Sequence, residues 1–333
     1  MLSGIVILVV VVALLFEFIN GFHDTANAIA TSVYTRALTA RRAILLAAVM
    51  NFIGALAGDK VADTISHGLV STSLQEYVIL SALIGAIVWN LLTWWWGIPS
   101  SSSHALIGSL IGAACVYSMS MEHIIWSGLL QKVVLPLVCS PFIGILVGMS
   151  VMRIVFNVFA GWSPHRVNRL FSRLQILSAA FVAFAHGTND AQKTMGIITL
   201  ALITAGALPE GSAVPVPVKL ACAVMMAVGT SVGGWKIMKT MGRGVTKLEP
   251  ASGFVAQTAS AAVIEVMSHL GAPISTTHVI TAAVMGVGSA KRFSAVKWGI
   301  AQDIIITWVI TLPITAALGG VSCFIIEKLL HII

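Results

Sequence analysis

The chain has 333 residues, of which 9% are charged and 58% hydrophobic, and its mean hydropathy is +0.97. Ordinary soluble domains carry about 25% charged residues, so this chain has too little polar surface to face water and reads as an all-α polytopic membrane protein. That excludes a soluble enzyme, a nucleic-acid binder and a disordered chain; the net charge of +7 is assigned to basic loops that orient membrane spans.

The stretch from Met1 to Phe16 carries no side-chain charge and no basic n-region precedes it, so it is read as a transmembrane helix and not as a cleaved signal peptide. Further apolar segments are predicted at about 43–58, 77–96, 103–118, 131–151, 174–204, 218–235, 250–272, 278–290 and 300–326. The cysteines (Cys115, Cys139, Cys222, Cys323) lie inside apolar stretches without metal or redox spacing, and no cofactor is expected.

Basic residues cluster in four places: Arg36, Arg41 and Arg42; Arg153, Arg166, Arg169 and Arg173; Lys236, Lys239, Arg243 and Lys247; Lys291, Arg292 and Lys297. If all four are cytoplasmic, the N-terminus and the C-terminus both lie outside. The chain then divides into a first transmembrane repeat (1–152), a basic cytoplasmic loop (153–173) and a second repeat (174–333).

The halves share motifs in order. Asn20-Gly21-Phe22-His23-Asp24-Thr25-Ala26-Asn27 ends the first predicted segment, and His186-Gly187-Thr188-Asn189-Asp190-Ala191-Gln192-Lys193 sits inside 174–204. Gly97-Ile98-Pro99-Ser100-Ser101-Ser102-Ser103-His104 matches Gly271-Ala272-Pro273-Ile274-Ser275-Thr276-Thr277-His278, and Trp126, Gln131 and Pro141 match Trp298, Asp303 and Pro313. Three net crossings in the first half make the second half inverted, the plan of secondary transporters with broken helices and a site near the midplane. The Pro-Ser and Pro-Ile-Ser tips suit re-entrant hairpins held in protein, because exposed backbone is costly in lipid. Serine or threonine can cap the helix that starts there, and its N–H groups attract an anion.

Ionisable groups inside a membrane are functional candidates. Asp24 and Asp190 occupy equivalent places and could carry protons, or ligate Na+ with oxygens of Asn27 and Asn189. Lys193 could neutralise Asp190 or touch an anion. His23, beside Asp24, is a candidate proton carrier. Glu17, seven residues before Asp24 on the same helical face, could belong to the ion path. Glu265 and Asp303 are weaker candidates; His104 and His278 suit packing behind the tips, and Trp94-Trp95-Trp96 suits packing or an interface.

These paired blocks resemble the two signatures and two hairpins of the PiT family of inorganic phosphate transporters, over essentially the whole chain. The resemblance implies a symporter of orthophosphate in the lipid bilayer of a cell membrane, with no enzymatic activity. Carried over, the phosphate-binding residues are Ser101, Ser102, Ser103, Ser275, Thr276 and Thr277; Gln192 and Lys193, which depart from the family pattern, are added to them from this sequence's own second signature. The coupling-ion residues that the resemblance implies are Asp24, Asn27, Asn189 and Asp190, to which the reading of the residues above adds His23 and Glu17. The general pattern Gly-Ala-Asn-Asp-x-Ala-Asn is altered here: Phe22 and His23 stand in the first copy, Gln192 and Lys193 in the second. Both changes resemble the bacterial Pit branch, which implies coupling to H+ and carriage of metal–phosphate, with Na+ the alternative ion. A permease for sulfate or another oxyanion, a passive anion channel and a serine hydrolase are the competing readings, and a homodimer is left open.

Overall fold

The computed structural model describes residues 3–71 and 73–330, apart from the side chains of residues 242–244; Arg243 of the third basic cluster and the C-terminal end itself fall outside that description. The regular elements among the described residues are helical. The first half holds α1 (Gly4–Tyr34), α2 (Ala40–Ala55), α3 (Lys60–Gly68), α4 (Glu76–Trp96), α5 (Ser102–Ser118), a short α6 (Trp126–Gly128) with a π-helical turn after it, and α7 (Leu135–Val158). The second half holds α8 (Pro164–Thr204), α9 (Val216–Val232), α10 (Trp235–Gly244), α11 (Pro250–His269), α12 (Thr276–Lys291) and α13 (Trp298–Leu330).

Local chemistry sets several of these boundaries. The Ser3 hydroxyl accepts from Val6 N and caps α1. Proline stands in the first turn of α8, α9 and α11, where its missing N–H costs no bond. Pro141 and Pro313 lie inside α7 and α13. Among the described residues five helices are long and apolar enough to cross a membrane, or up to seven if each bent pair is one span. Those pairs are α2 with α3, bent by 63°, and α9 with α10, bent by 74°.

Three expectations are corrected here. The first signature does not end its helix; α1 continues to Tyr34, because its polar residues are buried against neighbouring helices and not displayed to water. The stretch 153–173 is mostly helix, with α7 and α8 meeting at a turn around 159–163. The polar stretches after the segments at 43–58 and 218–235 form α3 and α10, the second arms of the bent pairs.

The outer surface is apolar: Leu45, Leu177, Val309 and Phe142 are exposed. The interior is where the polar residues sit, so apolar burial in water cannot be what holds these helices together; close packing and internal hydrogen bonds do. Glycines allow that approach where the halves cross. A methyl group on Gly21 would stand 2.6 Å from the carbonyl of Met226, and one on Gly229 2.1 Å from that of Phe18. The other crossing, of α2 on α8, is made the same way: Gly54 on Phe184 and Gly187 on Asn51, at 2.1 and 2.3 Å.

Basic residues gather around two facing loops. A bridge between Thr246 and Val296 joins the loops after α10 and α12, and a cavity of about 750 Å³ there is lined by Arg36, Lys247 and Lys297. Phe171, among the arginines of the second cluster, packs with Val245 and Val296. Members of all four basic clusters thus gather at one end. Elsewhere, Asp59 and Asp63 line a smaller cavity with the loop before α9.

Candidate functional site

The site is built from two helices and two hairpin tips. On α1, Glu17, Asn20, Asp24 and Asn27 recur at spacings of three and four, so one face presents them all. On α8, His186, Asp190 and Lys193 do the same. All seven are buried. Because both helices run unbroken through their signatures, the side chains, and not loosened carbonyls, supply the chemistry.

Each tip ends one helix and starts another. Gly97 and Gly271 close α4 and α11 in the left-handed conformation, with φ of 69° and 71°, which a side chain would strain. Ser101 and Ser275 are N-caps: each hydroxyl accepts from the backbone N–H three residues on, at His104 or His278, at 3.2 Å. Two of the expected phosphate residues therefore build the tips, and the next two in each tip turn toward α1 and α8. The tips are enclosed by protein. The Thr240 hydroxyl of α10 donates to Gly97 O at 2.8 Å, and the Thr64 hydroxyl of α3 donates to Gly271 O at 2.7 Å. The second arm of each bent pair holds the tip of the other half.

The carboxylates take hydroxyls from their own half. Ser102 donates to Asp24 Oδ2 and also lies 2.8 Å from Asn20 Oδ1. Thr276 donates to Asp190 Oδ2 at 3.0 Å. One helical turn further on, each signature reaches the other half's tip. Asn27 Nδ2 donates to Thr277 Oγ1 at 2.9 Å. Lys193 Nζ donates to Ser103 Oγ, to Asp190 Oδ1 at 2.5 Å and to Ile274 O at 2.8 Å. His23 completes the first half, its Nδ1 2.6 Å from Asp24 Oδ1 and its Nε2 3.0 Å from Thr93 Oγ1.

Three expected residues stand apart from this cluster. Asn189 donates to Ser268 Oγ at 2.8 Å and Ala272 O at 3.2 Å, bracing the arm behind the second tip. Gln192 turns to α3, whose backbone N–H groups at Val61 and Ala62 donate to its Oε1 at 2.8 and 3.3 Å. The N-cap residue of α3, Asp59, makes no such bond, so Gln192 of α8 caps that helix in its place. Glu17 sits two turns below Asp24, buried, with Thr194 donating to Oε2 and Oε1 left unpartnered. Glu265 is paired with His269 at 3.3 Å and lies outside the cluster.

His186 of the second signature also lies in this cluster. Its Nε2 stands 3.0 Å from Asp190 Oδ2 and its Nδ1 3.1 Å from Asn51 Oδ1. Its place four residues before Asp190, on the same helical face, was the available signal. Asn51 was missed as well: its amide donates to Thr25 and Thr230, and a lone asparagine in an apolar segment was the clue. His104 and His278 pack edge to face at 4.3 Å, and His278 stacks on Trp308 at 3.9 Å, as their positions behind the tips led one to expect.

Three carboxylates (Glu17, Asp24 and Asp190), one ammonium and the imidazoles of His23 and His186 thus share a buried interior, where each charge must be matched. Ligand atoms of Asp24, Asp190 and His186 lie within 4.8 Å of one another, close enough to hold one cation between the halves.

A model of the phosphate transporter family matches residues 20–319. A probable low-affinity inorganic phosphate transporter of Bacillus subtilis (strain 168) is 48% identical over 326 residues, covering 97% of each chain. One of the same description from Mycobacterium bovis is 46% identical over 318 residues, covering 95% of this chain and 76% of the relative. Among solved structures, one titled the sodium-dependent phosphate transporter superposes with a TM-score of 0.91 at 27% identity, covering 98% of this chain and 100% of that one.

Proposed function

The chain belongs to the phosphate transporter family, and on that premise we propose that it is a secondary symporter importing inorganic phosphate, driven by protons, with each hairpin gating its own side. It is a multi-pass membrane protein and not an enzyme. The observation that carries the reading is the meeting of both tips with Asp24, Asp190 and Lys193 in one buried cluster.

The chemistry follows from donor counting. A hydroxyl has a single hydrogen to give. Ser102 and Thr276 now give theirs to carboxylates. A phosphate oxygen brought to the tips needs those same hydrogens, together with the N–H groups at the starts of α5 and α12. A carboxylate that takes up a proton or a cation no longer competes for them, and it no longer repels the anion. Ion and phosphate therefore favour each other's binding, which is the coupling a symporter needs. Lys193, bonded to Ser103, supplies a further positive charge to the anion. His23, in contact with Asp24, is the proposed route for the proton.

A second reading is Na+ coupling, or entry of phosphate with a metal ion. The grouping of Asp24, Asp190 and His186 and the sodium-dependent structural neighbour favour it. We place the basic end of the molecule on the cytoplasmic side, which puts both chain ends outside.

Labelled phosphate uptake into proteoliposomes tests the reading. Uphill uptake under a proton gradient alone is expected. Uptake only under a Na+ gradient would keep phosphate and replace the ion. Equal competition by sulfate would point to a broader oxyanion permease, and equilibration without accumulation to a channel.

A further inference from the structure

We propose that the Lys193 ammonium is a tethered cation: it permanently fills a cation place beside Asp190, so the Asp190 half of the site needs no mobile ion. This rests on the symport reading above and concerns how many ions accompany the anion.

The geometry around Lys193 is that of a small cation site. Its ammonium has three hydrogens. Three oxygens receive them: the Asp190 carboxylate, the Ser103 hydroxyl and the Ile274 carbonyl. A carboxylate, a hydroxyl and a backbone carbonyl converging on one point is a donor set that hard metal cations also use. The side chain is 2% exposed, so this is not a lysine stretched toward water. Lysine so deeply buried is uncommon unless paired.

The counterpart position shows what the lysine replaces. Asn27 stands in the first half where Lys193 stands in the second, and it makes the equivalent bond, to Thr277 of the opposite tip. Its amide brings no charge. Among the described residues no ammonium pairs with Asp24; its partners are His23 and the Ser102 hydroxyl. A charge balance at Asp24 has to be supplied by something that moves, a proton or an ion. The balance at Asp190 is covalently attached to the chain.

The substitution Lys193→Asn makes the two positions alike. It removes the ammonium and leaves the Asp190, Ser103 and Ile274 oxygens together with a new amide oxygen. The variant should bind one more Na+ per chain than the wild type in equilibrium binding of labelled Na+ to purified protein. It should also gain an upward Tm shift of about 2–4 °C with Na+ that K+ or choline does not give. Lys193→Gln is the second variant, with a longer side chain to fill the space if the asparagine form folds poorly. Equal Na+ stoichiometry in wild type and a folded variant overturns the proposal. So does a wild type that binds two Na+ per chain, a measurement that needs no variant. These counts are made without phosphate; a wild type that fails to transport phosphate would remove the reading of substrate and leave the cation count standing.

Discussion

The two halves of the site use one plan with different charges. In the first, Asp24 leans on a histidine and a serine, and the residue one turn on is a neutral asparagine. In the second, Asp190 is gripped by Lys193 and approached by His186. The hydrogen-bond directions are the same in both: carboxylate to its own tip, the next turn to the opposite tip. What differs is whether the countercharge can leave. On the symport proposed above, one charge comes and goes, and the first half is the one free to provide it.

The largest effect that can break this comparison is removal of the carboxylates. Asp24→Asn and Asp190→Asn should both abolish phosphate accumulation while allowing membrane insertion; full uptake by either would sink the assignment. Stability should separate them. Asp190→Asn strands a buried ammonium and should cost about 3–5 kcal/mol, whereas Asp24→Asn strands no ammonium and should cost less. Thermal unfolding of the two variants in the same detergent checks this, and adding Lys193→Met to Asp190→Asn should recover much of the loss. A double variant no more stable than Asp190→Asn would mean that the ammonium is not what the aspartate neutralises.

Next in size are the tip hydroxyls. Ser102→Ala and Thr276→Val each delete one donor proposed for phosphate, a charge-assisted bond of about 1.5–3 kcal/mol. The apparent KM for phosphate should rise by about tenfold to a hundredfold for each, and similar values for the two would support equal use of the halves by the anion. An unchanged KM would move the phosphate elsewhere.

The smallest effect sharpens the boundary of the site. Gln192→Ala should lower stability by about 1 kcal/mol, the worth of a helix cap, and leave the KM for phosphate alone. A raised KM at unchanged stability would return Gln192 to the phosphate residues.

Much of this was legible in the residues. Apolar segments separated by short polar ones located most of the long helices, and the paired Pro-Ser and Pro-Ile-Ser tips located the helix breaks within two or three residues. The repeated aspartates located the two helices of the site. Helix continuity was not legible at Asn20 to Asn27, because hydropathy falls wherever polar residues appear, whether they meet water or a neighbouring helix. The same limit hid α3 and α10, which are too polar to read as spans. Gln192 was misplaced for a different reason. Motif membership says which turn of a helix a residue occupies, and Gln192 shares that turn with Asp190 and Lys193; its direction around the axis takes it to α3 instead.

Composition and order along the chain were enough to establish a membrane protein, its doubled motifs and the residue types available for anion and ion. Those are local properties, visible one segment at a time. Which donor faces which acceptor depended on how the helices cross. Contacts such as Asn27 with Thr277 join residues 250 positions apart, and no periodicity in either segment encodes them. The reciprocal glycine crossings bring those helices together, with the Lys193 ammonium paired to Asp190 and, among the described residues, none paired to Asp24.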